Sequence, residues 1–224
     1  MHPKLRAAFE RHAASTFDKQ LHLAKLVEEN AGEFDWESGL LRFSNDLIWH
    51  IQLIGTEDEP SRLWQWAWDN YEHLNDKGYL KSARALKKYG AENGIPELSQ
   101  PQFELGEING EYLSAIACGA CHGNGFYAVP VDGKQLFMLI VDPEYPSNVV
   151  EPITRISTVF PQFAAHYDVD HRKALIGYFK YYGINHTLNE NGVAGSESGG
   201  AAIHAAFDGA GHLTRIGVRQ ASPA

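Results

Sequence analysis

Hydrophobic positions at the start of the chain recur every third or fourth residue. Leu5, Phe9, Ala13, Phe17, Leu21 and Ala24 follow this spacing, the stripe of an amphipathic helix. Asn30-Ala31-Gly32 ends it with residues that tolerate a left-handed backbone. From Phe34 the period shortens to two. Phe34 and Trp36 alternate with Asp35 and Glu37, Ser38-Gly39 turns the chain into Leu40-Leu41-Arg42-Phe43, and Leu47, Trp49, Ile51 and Leu53 share one face of the next strand. His50 and Gln52 fall on its other face. Glu57-Asp58-Glu59-Pro60 reads as a solvated acidic loop. Beyond it Trp64, Trp66 and Trp68 alternate with Leu63, Gln65 and Ala67, which puts all three indoles on one side of a strand. The connections are too short for helical crossovers, so an antiparallel meander is predicted.

Helical spacing returns over 78–93, ended by Gly94 and Pro96, and over 111–122, where Leu113, Ile116, Ala117 and Ala120 form a stripe. A short helical stretch is predicted near 153–160, and a further helix reaches Tyr182 behind a cap at Asp168 or Asp170. Asp132-Gly133 between two apolar runs is a hairpin signal. A second hairpin pairs Ile203–Phe207 with His212–Ile216. The stretch 189–200, rich in Gly, Ser and Asn, predicts a mobile loop. The expected fold is α+β: an antiparallel sheet of meander and hairpins packed with about four or five helices. It forms a single domain over 1–217 with a flexible tail over 218–224.

Composition narrows the class. The chain has 224 residues, 44% hydrophobic and 21% charged, which fits a folded chain and not a disordered one. Nineteen basic against 28 acidic residues give a net charge of -9, which argues against broad nucleic-acid or anionic-membrane binding. Two cysteines make no disulfide framework. No export signal or run of apolar residues long enough to span a bilayer is seen, so a cytoplasmic, soluble protein is expected with no membrane and no nucleic-acid partner.

Cys118-Gly119-Ala120-Cys121-His122 matches the attachment pattern of c-type haem. Covalent haem is opposed by the missing export signal and by the position of the motif at the end of a helix, where a small buried Cys is an ordinary packing residue. Zinc is the stronger metal reading: Cys118, Cys121 and His122 stand at i, i+3 and i+4 of the predicted helix, with His166, His171 or His186 as the fourth ligand. The expectation remains no cofactor and no metal, with those three residues as the place for one. Asp168, Asp170 and His171 supply groups for acid–base work, although Asp before a helix is more often a cap. His50 reads as an exposed or hydrogen-bonded residue.

All five tryptophans fall between Trp36 and Trp68. They form either a core cluster or an aromatic-walled groove. Gly55-Thr56, Trp64-Gln65-Trp66-Ala67-Trp68-Asp69-Asn70, Tyr89-Gly90-Ala91-Glu92-Asn93-Gly94-Ile95-Pro96-Glu97-Leu98, Ala115-Ile116-Ala117-Cys118, Tyr127, Phe207-Asp208, Gly211 and Leu213 together resemble an uncharacterised bacterial family, a domain of unknown function with a Trp-x-Trp-Ala-Trp-x-Asn strand. The likeness covers about Phe34 to Ile216 and implies shared fold but no catalytic residues.

Three functions follow as expectations. The first is a non-enzymatic binding or interaction module with Trp64, Trp66 and Trp68 as walls and Asn70 as a polar anchor, for a small molecule or a protein partner. The second is a hydrolase using a His and a carboxylate, drawn from His171 or His50. The third is a metalloprotein at Cys118, Cys121 and His122.

Overall fold

The computed structural model describes residues 1–148, 151–190, 192–197 and 200–219, with the side chains of 75 and 76 left aside. The elements run α1 (Pro3–Val27), β1 (Gly32–Asp35), β2 (Leu40–Phe43), β3 (Ile48–Asp58), β4 (Leu63–Trp66), α2 (Ala67–Asn70), a 3-10 turn (Glu72–Lys77), α3 (Lys81–Asn93), α4 (Pro96–Ser99) and β5 (Gln102–Glu104). Then follow α5 (Gly110–Ala120), β6 (Gly125–Val131), β7 (Lys134–Ile140), α6 (Pro152–His166), α7 (His171–Tyr181), β8 (Asn185–Asn189), β9 (Gly192–Ser196), β10 (Ala202–Phe207) and β11 (Leu213–Arg219). The protein is α+β with antiparallel sheets. Among the described residues seven helices are formed instead of four or five, because α2 and α4 are single turns too short to leave a period in the sequence.

Packing divides the chain into two compact units: Met1–Phe9 with Lys19–Pro146, and Glu10–Asp18 with Ser147–Ala224. In the first, a sheet of seven strands is organised by β3. Ile48–His50 pairs with β2, Gly55–Asp58 with β4, and Ile51–Glu57 with β7 across a register shift at Ile54. Side chains on both faces of this long strand are therefore buried from Leu53 to Glu57. The acidic-loop reading of 57–59 is corrected at its start: β3 continues to Asp58, and Glu57 is buried. Its carboxylate accepts from the Gly110 N–H at 2.7 Å and from Arg62 at 2.9 Å, which fixes the start of α5. The Asp132-Gly133 hairpin forms as read, both residues taking positive φ as a tight primed turn requires.

Trp64 and Trp66 lie on β4, where both indoles are wholly buried. Trp68 is not on that strand: the chain turns into α2 after Trp66, so the three-residue alternation ends one step early. Trp68 is still buried, and Lys87 lies 3.7 Å from the centre of its ring. Gly55 lets the Trp64 ring lie directly on the β3 backbone, where any Cβ would collide with it. Trp66 Nε1 donates to the Glu97 carbonyl at 2.8 Å.

In the second unit, α6 is longer than its predicted stretch and continues past Pro161. Asp170 caps α7 by accepting from the Lys173 N–H at 3.0 Å. A sheet follows in the order β11-β10-β9-β8. The mobile loop expected over 189–200 is corrected: Gly192–Ser196 is a strand held on both sides, by β8 and by β10. Small residues hid it, because Gly, Ala and Ser leave no apolar alternation to read. Residues 191, 198 and 199 of that stretch lie outside the described residues. Of the tail expected from 218, β11 includes 218 and 219, and 220–224 lie outside the described residues.

Asp18 on α1 anchors this unit. Arg155 approaches one carboxylate oxygen at 2.6 Å, while Tyr178 and Tyr182 donate to the other at 2.6 and 2.7 Å. Burial and the adjacent carboxylate push both phenols far above their ordinary value, so they remain donors.

Burial sets the expected cost of losing a central indole. Trp66→Ala, read by urea denaturation of purified protein, is expected to cost about 3–5 kcal/mol. A loss under about 1 kcal/mol would contradict the core placement of this residue.

Candidate functional site

Two surfaces bring polar groups together, one in each unit. The first is built where β3 and β7 end side by side. The Val141 N–H donates to the His50 carbonyl at 2.9 Å, which brings the next residue, Asp142, alongside His50. His50 Nδ1 lies 2.7 Å from Asp142 Oδ2, and the His50 backbone N–H donates to the same oxygen at 2.8 Å. The Glu144 N–H donates to Oδ1 at 2.8 Å, and Asn124 Oδ1 accepts from the Asp142 N–H at 2.9 Å. The Asp142 side chain is 7% exposed and that of His50 69%. Burial pushes the Asp142 carboxyl up, but the N–H groups of His50, of Glu144 and of the imidazole outweigh it and hold the group below the usual carboxylate value. The anionic oxygen selects the tautomer with the proton on Nδ1. Nε2 then presents its lone pair to solvent, the arrangement of a general base.

His171, the other histidine proposed for acid–base work, has both nitrogens committed. Nε2 lies 2.7 Å from the Tyr167 carbonyl and Nδ1 accepts from the Leu213 N–H at 3.0 Å. It is a buried clip joining α6, α7 and β11. Asp170 is the cap of α7, and Asp168 pairs with His212 at 3.0 Å.

The cysteine motif takes a different shape from the helical face expected. Helix α5 ends at Ala120, Cys121 is its cap, and His122 has left the helix with a φ of 57°. The spacing i, i+3, i+4 therefore does not place the three groups on one side. Cys118 Sγ points at the Gly123 carbonyl and Cys121 Sγ at that of Ser82. Burial pushes the Cys121 thiol up to about 11, so it is protonated at neutral pH and a poor nucleophile. No group of three His, Cys, Asp or Glu among the described residues is arranged to hold a metal ion.

Trp64, Trp66 and Trp68 pack inside the first unit, and Asn70 is half-buried at the end of α2.

The second surface was not read from the sequence. One face of the β8–β11 sheet carries Val193, Ile203, Ala205 and Phe207, all buried, with α6 packed on β10 and β11 and α7 on β8 and β9. The register dictates what the opposite face carries. Asn189, Gly192, Ala206 and Arg215 form one cross-strand row. Thr187, Ala194, His204 and Gly217 form the next, and Asn185, Ser196, Ala202 and Arg219 the third. Glycine, alanine and serine make a low floor, and Arg215, Arg219, His204 and Asn189 rise around an open cleft of about 440 Å³. No acidic residue occupies these positions. Arg215 and Arg219 form no ion pair among the described residues. The signal was present as Arg215-x-Gly217-x-Arg219, but ending the hairpin at Ile216 left Arg219 in the tail.

The Asp142 contacts give a stability prediction with a defined sign. Its folded-state value is depressed, so its stabilisation is full above the unfolded value of about 3.9 and is lost as pH falls through the folded value. Asp142→Ala is expected to lose roughly 2–4 kcal/mol in urea melts at pH 7, with the gap narrowing below about pH 4. An equal gap at pH 7 and pH 3 would contradict the assignment.

No helix among the described residues is long and apolar enough to cross a membrane. No curated protein and no solved structure matches the chain. One family model does, over residues 6–143, more than half of the length and inclusive of His50, Asn124 and Asp142. The chain belongs to the family of unknown function DUF6882.

Proposed function

We propose that the protein is a binding module whose contact surface is the open face of the β8–β11 sheet and whose ligand is anionic. One observation carries this reading: in a chain of net charge -9, Arg215 and Arg219 stand with His204 on a face where, among the described residues, they form no ion pair and no acid is found. A solvated sheet face ordinarily mixes both signs of charge. A surface of one sign with a low floor attracts an extended anion and lets it approach the backbone. This keeps the expectation of a non-enzymatic module and moves its surface away from Trp64, Trp66, Trp68 and Asn70, whose burial gives a ligand little access.

A hydrolase stands as the second reading, favoured by the His50–Asp142 pair with its outward Nε2. Hydrolysis of a chromogenic ester that is lost in His50→Gln would place it first. Zinc at Cys118, Cys121 and His122 is the least supported reading, since it needs His122 to return to the helix.

The test of the first reading uses poly-glutamate as probe. Binding to the full chain, followed by fluorescence anisotropy, is expected to weaken as salt rises past about 0.15 M. Arg215→Glu/Arg219→Glu is expected to weaken it roughly tenfold, two exposed ion pairs being lost and reversed. Unchanged affinity in the double variant would contradict the reading.

A further inference from the structure

Strand β11 pairs only with β10, so one of its edges is open among the described residues. An open edge presents a row of unpaired N–H and C=O groups. Its two faces differ in chemistry. Arg215, Gly217 and Arg219 point to the basic side, while Ile216 and Val218 point to the side on which α6 packs. Ile216 is only half covered there, and Val218 is 43% exposed, one of the few large apolar side chains so exposed. The edge thus joins two arginines that form no ion pair among the described residues on one face to uncovered apolar surface on the other.

We infer, resting on the reading of that face as an anion-binding surface, that the β11 edge takes an extended segment of a partner protein as a fifth strand, with acidic side chains alternating with apolar ones. The strand period makes the match. Side chains of a paired strand alternate between faces, so every second residue of the segment meets the arginine side and the others meet Ile216 and Val218. Arg215 and Arg219 are four residues apart, about 13 Å along the strand, and two acids at the same spacing in the segment face both. Gly217 between them leaves room beside His204. The two arginines also choose the occupant. They repel a second β11 edge of another copy and attract an acidic one, so the charge that guards this edge against self-pairing selects its partner. Main-chain hydrogen bonds supply affinity, and the alternating side chains supply specificity. Among the described residues no Phe, Tyr or Trp stands on the basic face, so it lacks the broad stacking platform a single-stranded nucleic acid would use.

The experiment compares three probes on the full chain: a short peptide alternating glutamate and valine, the same peptide N-methylated through its core, and poly-glutamate. N-methylation keeps every charge but removes the strand donors. The alternating peptide is expected to bind, to lose affinity in Arg215→Glu/Arg219→Glu, and to weaken at least about tenfold on N-methylation, the loss of about two main-chain hydrogen bonds. Equal binding of the methylated and parent peptides would overturn the strand proposal while leaving the anion-binding face intact. Failure of all three probes to bind would overturn both. Binding of the alternating peptide that is indifferent to the arginine variant would also overturn the proposal, since the edge would then be elsewhere.

Discussion

The alternation of side chains along four short strands is the constraint on which the second unit and its functional reading depend. Val193, Ile203, Ala205 and Phe207 must face α6 and α7 to be buried. Once they do, the pairing leaves His204, Arg215 and Arg219 no choice but the other face. A slip of one residue in β10 would turn its core side chains outward, and one in β11 would turn the arginines inward. Core packing and surface charge are thus two results of one register. The shift between Ala206 and Phe207 comes at the end of the pairing and leaves the functional rows in step.

Electrostatics in the rest of the molecule shows why those arginines stand out. Buried carboxylates are each met by dedicated partners. Asp18 has Arg155 and two tyrosines, Glu57 has Arg62 and the start of α5, and Asp142 has His50 and two backbone N–H groups. Leaving any of them unpaired would cost several kcal/mol, so Arg155 and Arg62 are committed to structure. Among the described residues Arg215 and Arg219 meet no carboxylate. Cations left over in an acidic chain, gathered on one face, fit recognition better than stability.

The sequence made some of this legible and hid the rest for physical reasons. Period-two alternation around Trp49, Ile51 and Leu53 and the Asp132-Gly133 turn reported β3 and the β6–β7 hairpin directly, since each strand has one clear face or a demanding turn. Trp68 misled because a period of two continues to look like a strand when the backbone has already turned into α2. Gly192–Ser196 misled in the opposite way, since a central strand built of Gly, Val, Ala and Ser resembles a loop. The His50–Asp142 pair joins residues 92 apart in the chain, a separation no local pattern encodes. The basic face was visible only to a reading that kept β11 running to Arg219. Its rows come from three separate pairings, which a single sequence does not display.

The claim that the open sheet face is the contact surface is tested most directly by mapping where an anionic probe touches the protein. In a backbone amide NMR titration with poly-glutamate, the account predicts that shifts concentrate on Ala202–Ala206 and Arg215–Arg219, with neighbouring strands β8 and β9 affected less. Shifts gathered instead around His50 and Asp142, or around Trp68 and Asn70, would contradict it.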